Sequence, residues 1–230
     1  MNDQKNTYPV GIDLGTTYSA SAYLDSQGRP TTITNSEGEL TTPSVVFFDQ
    51  DDVIVGTEAA IAGQMETDRM ARLAKREMGN AQFNQPILGR HLPPEVIQSF
   101  VLRRIKEDAE LKIGPFQKAV VTVPAYFDEP RRKATQDAGA IAGLDVIEII
   151  NEPTAAALAY GVQQGFLNEK GQSLNQELVM VYYVGGGTFD VSLLTIDDEI
   201  FEDLVERVAD MEIAVGVGRA VMQHIFRAPG

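Results

Sequence analysis

An α/β fold of two related lobes is the architecture the sequence predicts, and three observations predict it. Strand-like segments alternate with helical ones along most of the chain, which is the pattern of layered α/β folds. A strand, a Gly/Thr turn and a second strand occur twice, beginning at Val10 and again at Val181. Between the copies, residues 163–176 are polar and glycine-containing, a composition that suits a connection between lobes.

Each element follows from local pattern. Residues 9–24 carry small and β-prone side chains on both sides of Gly15-Thr16-Thr17, which reads as strand, tight turn, strand. Asp25-Ser26-Gln27-Gly28 forms a turn into a third short strand near 31–34, and strands follow at 44–48 and 53–55. Short helices are predicted at 58–64 and 72–78, and the proline-bearing residues 80–94 read as irregular. The clearest helix starts near Pro94. Ile97, Val101, Ile105 and Ala109 recur at i, i+4 with Phe100 beside them, and Arg103, Arg104, Lys106, Glu107 and Asp108 fall largely on the other face. Gly114-Pro115 ends it. Residues 118–123 form a mostly apolar strand stopped by Pro124. Asp128 can cap a second helix, which tolerates Pro130 in its first turn and stops at Gly143. A strand at 146–150, a helix of small residues at 153–160 and strands at 178–184 and 189–196 complete the order. Asp197-Asp198-Glu199 reads as an exposed turn, and from Asp203 the pattern weakens.

Composition narrows the function classes. Of 230 residues, 43% are hydrophobic and 23% charged, ordinary for a globular chain, and the net charge of −14 argues against a nucleic-acid or anionic-membrane partner. A phosphate ligand stays compatible, because backbone amides and one or two lysines hold phosphate locally. Cysteine is absent, which removes disulfides and thiolate metal sites. His91 and His224 are isolated from ligand-spaced partners, and no Gly-x-Ser-x-Gly signature supports acyl transfer. The polar start lacks a secretory leader pattern, no run is long enough to span a membrane, and a cytoplasmic location is expected.

The duplicated unit carries the chemistry. Val10-Gly-Ile-Asp13-Leu-Gly15-Thr16-Thr17 and Val181-Tyr-Tyr183-Val-Gly185-Gly186-Gly187-Thr188 each run an apolar strand into a Gly/Thr turn. Glycines let backbone N–H groups approach phosphate oxygens, threonine hydroxyls add donors, and a strand-end carboxylate can hold the water shell of Mg²⁺. Either turn alone reads as an ordinary tight turn. The pair suggests two lobes facing each other across a cleft.

These strings resemble the nucleotide-binding domain of DnaK-type chaperones, the seventy-kilodalton heat-shock protein family. Residues 11–19 (GIDLGTTYS) are similar to its first phosphate motif, and residues 185–191 (GGGTFDV) to its second. Residues 40–46, Lys75-Arg76, 121–127, 134–144 and 149–157 resemble intervening stretches in the same order. The resemblance covers roughly residues 8–202. It implies an actin-like ATPase (ribonuclease H-like) fold, with two lobes around a nucleotide cleft and the second lobe incomplete. The implied division is lobe I at 1–164 with a small inserted subdomain near 37–116, a connector at 165–176, and a partial lobe II at 177–230 with an atypical tail.

The resemblance also implies site roles. Gly15, Thr16, Thr17 and Tyr18 would bind the β/γ-phosphates of ATP or ADP from one lobe, and Gly185, Gly186, Gly187 and Thr188 from the other. Asp13 and Glu152 would hold Mg²⁺ through water. Lys75, Glu152, Thr188 and Asp13 would serve hydrolysis; by the bland alternative, Lys75 is a solvated lysine among Arg72, Arg76 and Glu77. Asp190 is either near the cation or an ordinary strand residue. Pro124 and Arg132 match positions that pass nucleotide state between lobes; as plain structure they are a strand stop and a surface helix residue. Implied partners are a J-domain co-chaperone, a nucleotide-exchange factor and unfolded polypeptide clients, for which the peptide-binding domain has no counterpart here.

Three departures from the family matter. Tyr183 stands where the second phosphate motif begins with aspartate, and the repeat makes the same point, since Asp13 and Tyr183 are equivalent. A neutral tyrosine cannot supply that anion, and losing one electrostatic partner costs about 10²–10³ in rate. Most of lobe II has no counterpart, so its first strands are expected to leave apolar surface and an edge exposed. The stretch between Lys75 and Pro124 is shorter than is typical. Two functions therefore stay open: a chaperone-family ATPase impaired by Tyr183, or a non-hydrolysing nucleotide-binding or protein-interaction remnant. A sugar or acetate kinase of the same fold is a distant third.

Overall fold

The computed structural model describes residues 9–27, 29–50, 52–166, 176–184 and 189–196. In chain order the strands and helices begin with β1 (Val10–Asp13), β2 (Tyr18–Leu24), β3 (Pro30–Thr32), β4 (Thr42–Pro43), β5 (Val45–Phe48), β6 (Val53–Val55) and α1 (Thr57–Ala62). They continue through β7 (Met70–Arg72), α2 (Pro94–Ile113), β8 (Lys118–Val123), α3 (Glu129–Ile141) and β9 (Asp145–Asn151), then α4 (Glu152–Gln164), β10 (Glu177–Val184) and β11 (Phe189–Ile196).

The main sheet has the order β3-β2-β1-β8-β9, with β4 pairing on β2. β1, β2 and β3 form an antiparallel meander, whereas β1, β8 and β9 are parallel. The inner strands β1 and β8 are buried almost throughout because both faces are covered, whereas β9 at the sheet edge stays partly exposed. On one face Val10, Ile12, Ala119, Val121 and Val123 join Ile97, Val101, Ile105 and Ala109 of α2 and Ala134 and Ala138 of α3 in one buried core. Each buried Ile, Leu or Val contributes roughly 1.5–3 kcal/mol, so burial of the i, i+4 stripe holds α2 in place. Gly139 lets α3 lie close on β9: a Cβ there would stand 2.3 Å from Val146 Cγ2. The opposite face carries Gly11, Asp13, Ala20, Ala22, Val120 and Thr122, by the pairing register. Here α4, whose Ala155–Ala159 run is buried, packs on β8, β9 and the β10–β11 hairpin.

The second sheet, β6-β5-β7, departs from expectation. Residues 72–78 do not form a helix; Arg72 ends β7 by pairing with Val45, and a single 3₁₀ turn covers Ala74–Glu77. Leu73 between them has φ 59°, a left-handed backbone that breaks any continuous helix at that point. Asp108 is also not on a solvated face. It is 6% exposed and accepts from Arg104 Nε (3.1 Å) and Ser36 N (3.2 Å), because the loop before β4 lies across that side of α2. The predicted helix at 153–160 extends through Gln164 and ends at Gly165 in the left-handed conformation, taking two residues expected in the connector.

β10 and β11 pair with the same register as β1 and β2. An offset of 170 residues carries Asp13↔Ala20 onto Tyr183↔Asp190 and Gly11↔Ala22 onto Val181↔Ser192. The sequence repeat is thus a structural repeat. Leu178, Met180, Tyr182, Val191 and Leu193 alternate along one face of this hairpin and are 49–65% exposed, the apolar surface expected for the first strands of a lobe. The turn expected at 197–199 and the tail from 203 lie outside the described residues.

Candidate functional site

The carboxyl ends of β1, β8 and β9 lie at one edge of the main sheet, where open α/β sheets bind ligands. Asp13 closes β1, Pro124 follows β8, and Glu152 follows β9 as the first residue of α4. Two strand spacings separate β1 from β9, about 10 Å. Asp13 is fully buried, and Thr122 Oγ1 donates to its Oδ1 over 2.8 Å from the neighbouring strand. Thr122 was not singled out from sequence; its signal was a lone hydroxyl in an otherwise apolar strand, opposite the strand-end aspartate.

The turn after β1 is held from beneath. Gly15 N–H donates to Ser19 Oγ (3.1 Å), Ser19 and Ser44 hydroxyls are 2.9 Å apart, and Ser44 Oγ donates to Gly15 O (2.8 Å). Ser44 N–H also donates to Thr17 O (2.8 Å). Gly15 therefore spends its amide inside the protein. The N–H groups of Thr16 and Thr17 and the buried Thr17 Oγ1 meet no acceptor among the described residues, so this turn offers donors to an anion. Tyr18 opens β2 opposite Pro43 and is 42% exposed.

Lys75 is not a solvated lysine of a charged helix. It lies on the 3₁₀ turn after Leu73, and its ammonium pairs with Glu152, both side chains 3% exposed. Leu73 turns the chain out of β7, which brings Lys75 to the start of α4. An ammonium has three donors and Glu152 takes one, so the pair can share an anionic ligand without being broken. Glu152 sits in the first turn of α4, where the helix dipole favours a carboxylate.

Arg132 is not a free surface residue of α3 either. Its guanidinium donates to Asn151 Oδ1 (2.5 Å) and, through Nε, to Phe127 O (3.1 Å), while Phe127 N–H donates to Pro124 O (3.0 Å). Pro124, Phe127, Arg132 and Asn151 form one hydrogen-bonded chain ending beside Glu152. The structure thus brings together Asp13, the 15–17 turn, Glu152 with Lys75, and Pro124 with Arg132. Tyr183 and Asp190 are backbone partners in the β10–β11 register, and Gly185, Gly186, Gly187 and Thr188 lie outside the described residues.

These residues fit a magnesium-bound polyphosphate: unpartnered donors on a turn, a buried cation, and two carboxylates at one sheet edge. Among the described residues no helix is long and apolar enough to cross a membrane. Residues 9–91 and 70–209 match the family described as Hsp70 protein. The chain is 44% identical over 200 residues to "Chaperone protein DnaK" of Thermosipho melanesiensis, covering 86% of this chain and 32% of that relative. It is 43% identical over 201 residues to "Chaperone protein DnaK" of Thermotoga neapolitana, again 86% of this chain and 32% of the relative. The chain thus spans about a third of the length of these relatives. By these matches, together with the duplicated hairpin and the strand order, the chain belongs to the Hsp70 protein family and has its actin-like α/β fold.

Proposed function

We propose that this chain is an ATP-binding module of a DnaK-type chaperone, taking Mg²⁺ and ATP or ADP at the carboxyl edge of β1, β8 and β9. The observation that carries the reading is the buried Lys75–Glu152 pair on the same sheet edge as Asp13 and the 15–17 turn. Thr16 and Thr17 would donate to the β/γ-phosphates, Asp13 and Glu152 would orient magnesium waters, and Lys75 would balance the terminal phosphate. When bound, magnesium supplies a divalent charge that offsets charge developing on the phosphates. Gly185, Gly186, Gly187 and Thr188 would contact phosphate from the second lobe, with Thr188 and Asp190 near the reacting end. The hydrogen-bonded chain from Pro124 through Arg132 to Asn151 supports a role in passing nucleotide state between lobes.

This reading divides the chain into lobe I at 1–164, with a small subdomain near 37–116, a connector at 165–176 and a partial lobe II at 177–230. It implies a cytoplasmic protein partnered by a J-domain co-chaperone, an exchange factor and unfolded clients. Tyr183 favours a second reading, a binding module that does not hydrolyse ATP, because the equivalent position of the first hairpin is Asp13. Calorimetric titration with ATP, with and without magnesium, tests both readings with Tyr183→Asp as comparison. Magnesium-dependent binding by both proteins, with hydrolysis gained only by Tyr183→Asp, supports a working cleft disabled at one carboxylate. Absence of binding in either protein contradicts the nucleotide reading.

A further inference from the structure

Ser44 belongs to no strand: it lies between β4 and β5 and is 3% exposed. Its hydroxyl has one proton, and that proton goes to Gly15 O. The bond between the two serine hydroxyls must then be donated by Ser19, whose oxygen in turn accepts the Gly15 N–H. The directions are therefore fixed around a closed ring: Gly15 N–H to Ser19, Ser19 to Ser44, Ser44 back to Gly15 O. Every group in the ring gives and accepts in one sense, so each bond polarises the next. Ser44 N–H adds a second hold on the same turn, at Thr17 O.

Ser44 is also the residue before Val45, which pairs with Arg72 at the end of β7, three positions ahead of Lys75. One buried serine thus joins the turn that offers donors to the segment that carries the cation.

We propose that Ser44 is the positioning residue that holds the 15–17 turn open to phosphate and in register with Lys75. The proposal rests on the nucleotide reading above, and it places Ser44 outside contact with the ligand. With the ring intact, Gly15 keeps its amide and carbonyl turned inward, leaving Thr16 and Thr17 N–H for the ligand. Without it, Gly15's polar groups need new partners and the turn loses its single arrangement.

The test pairs two readouts on Ser44→Ala, Ser19→Ala and Ser44→Thr, with Ser99→Ala as control. Ser99 is a buried serine on α2 whose hydroxyl donates to Val96 O (2.7 Å), so its loss costs a similar bond away from the turn. Hydrogen exchange of the Gly15 amide is measured without nucleotide, and MgATP affinity is measured by calorimetry. Ser44→Ala and Ser19→Ala are expected to speed Gly15 exchange and weaken MgATP binding about five- to tenfold, the size of one or two lost hydrogen bonds. Ser44→Thr keeps the hydroxyl and restores both, while Ser99→Ala leaves both unchanged. Should Ser44→Ala not fold, Ser19→Ala carries the same test from the other side of the ring. Affinity equal to wild type in the folded alanine variants overturns the role of Ser44 alone. Wild type that takes up no MgATP overturns the nucleotide reading and this proposal together, whatever the exchange data show.

Discussion

Lys75 and Glu152, separated by 77 residues in sequence, form an ion pair in which both side chains are 3% exposed. Two desolvated charges of opposite sign stabilise each other only while both remain, and removing one leaves the other buried without its counter-charge.

Lys75→Met is therefore expected to lower stability by about 3–5 kcal/mol, and Lys75→Met with Glu152→Gln by less than the single change. Urea unfolding of the three proteins checks this, and equal losses for single and double variants would count against a coupled pair. MgATP affinity should fall in both variants.

The Thr122 hydroxyl donates to a fully buried Asp13 carboxylate. Thr122→Val keeps the shape and removes the donor, so a loss of about 1.5–3 kcal/mol is expected, the range for hydrogen bonds to charged groups. Thermal unfolding measures it; a change within experimental error would mean that Asp13 does not depend on this bond.

Gly139 sits where a Cβ would come within 2.3 Å of Val146 Cγ2. Gly139→Ala should destabilise the α3–β9 contact by about 1–3 kcal/mol as an overpacked site. Adding Val146→Ala should recover part of that loss, since the clash is with one methyl. Denaturant midpoints of the single and double variants decide it.

Asp25 lies in the turn between β2 and β3, and its carboxyl is held below the ordinary value of 3.8, first by the Arg29 backbone N–H, then by the Arg29 side chain and Gln27 N–H. A depressed carboxyl stabilises the folded turn above its unfolded value, and that stabilisation is lost as pH falls through the folded value. The Asp25 carboxyl resonance should therefore titrate below 3.8, and Arg29→Ala, which keeps the backbone N–H but removes the guanidinium, should move it up toward that value; a titration unchanged by Arg29→Ala would contradict the side-chain part of the cause.

Much of the main sheet was legible because its cues are local. The strand at 118–123 matched β8, Asp128 does cap α3 by accepting from Arg131 N–H, and the i, i+4 stripe of α2 is buried as its spacing implies. The repeat around Asp13 and Tyr183 held in the register of both hairpins. What was missed depends on contacts distant in sequence. No window around 72–78 encodes the pairing of Arg72 with Val45, so the left-handed Leu73 and the burial of Lys75 were hidden behind a helical pattern rich in charge. Asp108 looked solvated for the same reason, because the Ser36 loop that covers it lies 72 residues away. The serine ring beneath Gly15 was equally out of reach, since Ser44 joins it from 29 residues on.

An amide chemical-shift map of the wild-type protein, recorded while MgATP is added, shows where on the chain nucleotide binds. Shifts concentrated at Thr16, Thr17, Thr122, Asn151 and Glu152, and absent when ATP is added without magnesium, are the predicted result. Shifts centred elsewhere in the chain, or none at saturating MgATP, would contradict a nucleotide site at the carboxyl edge of β1, β8 and β9.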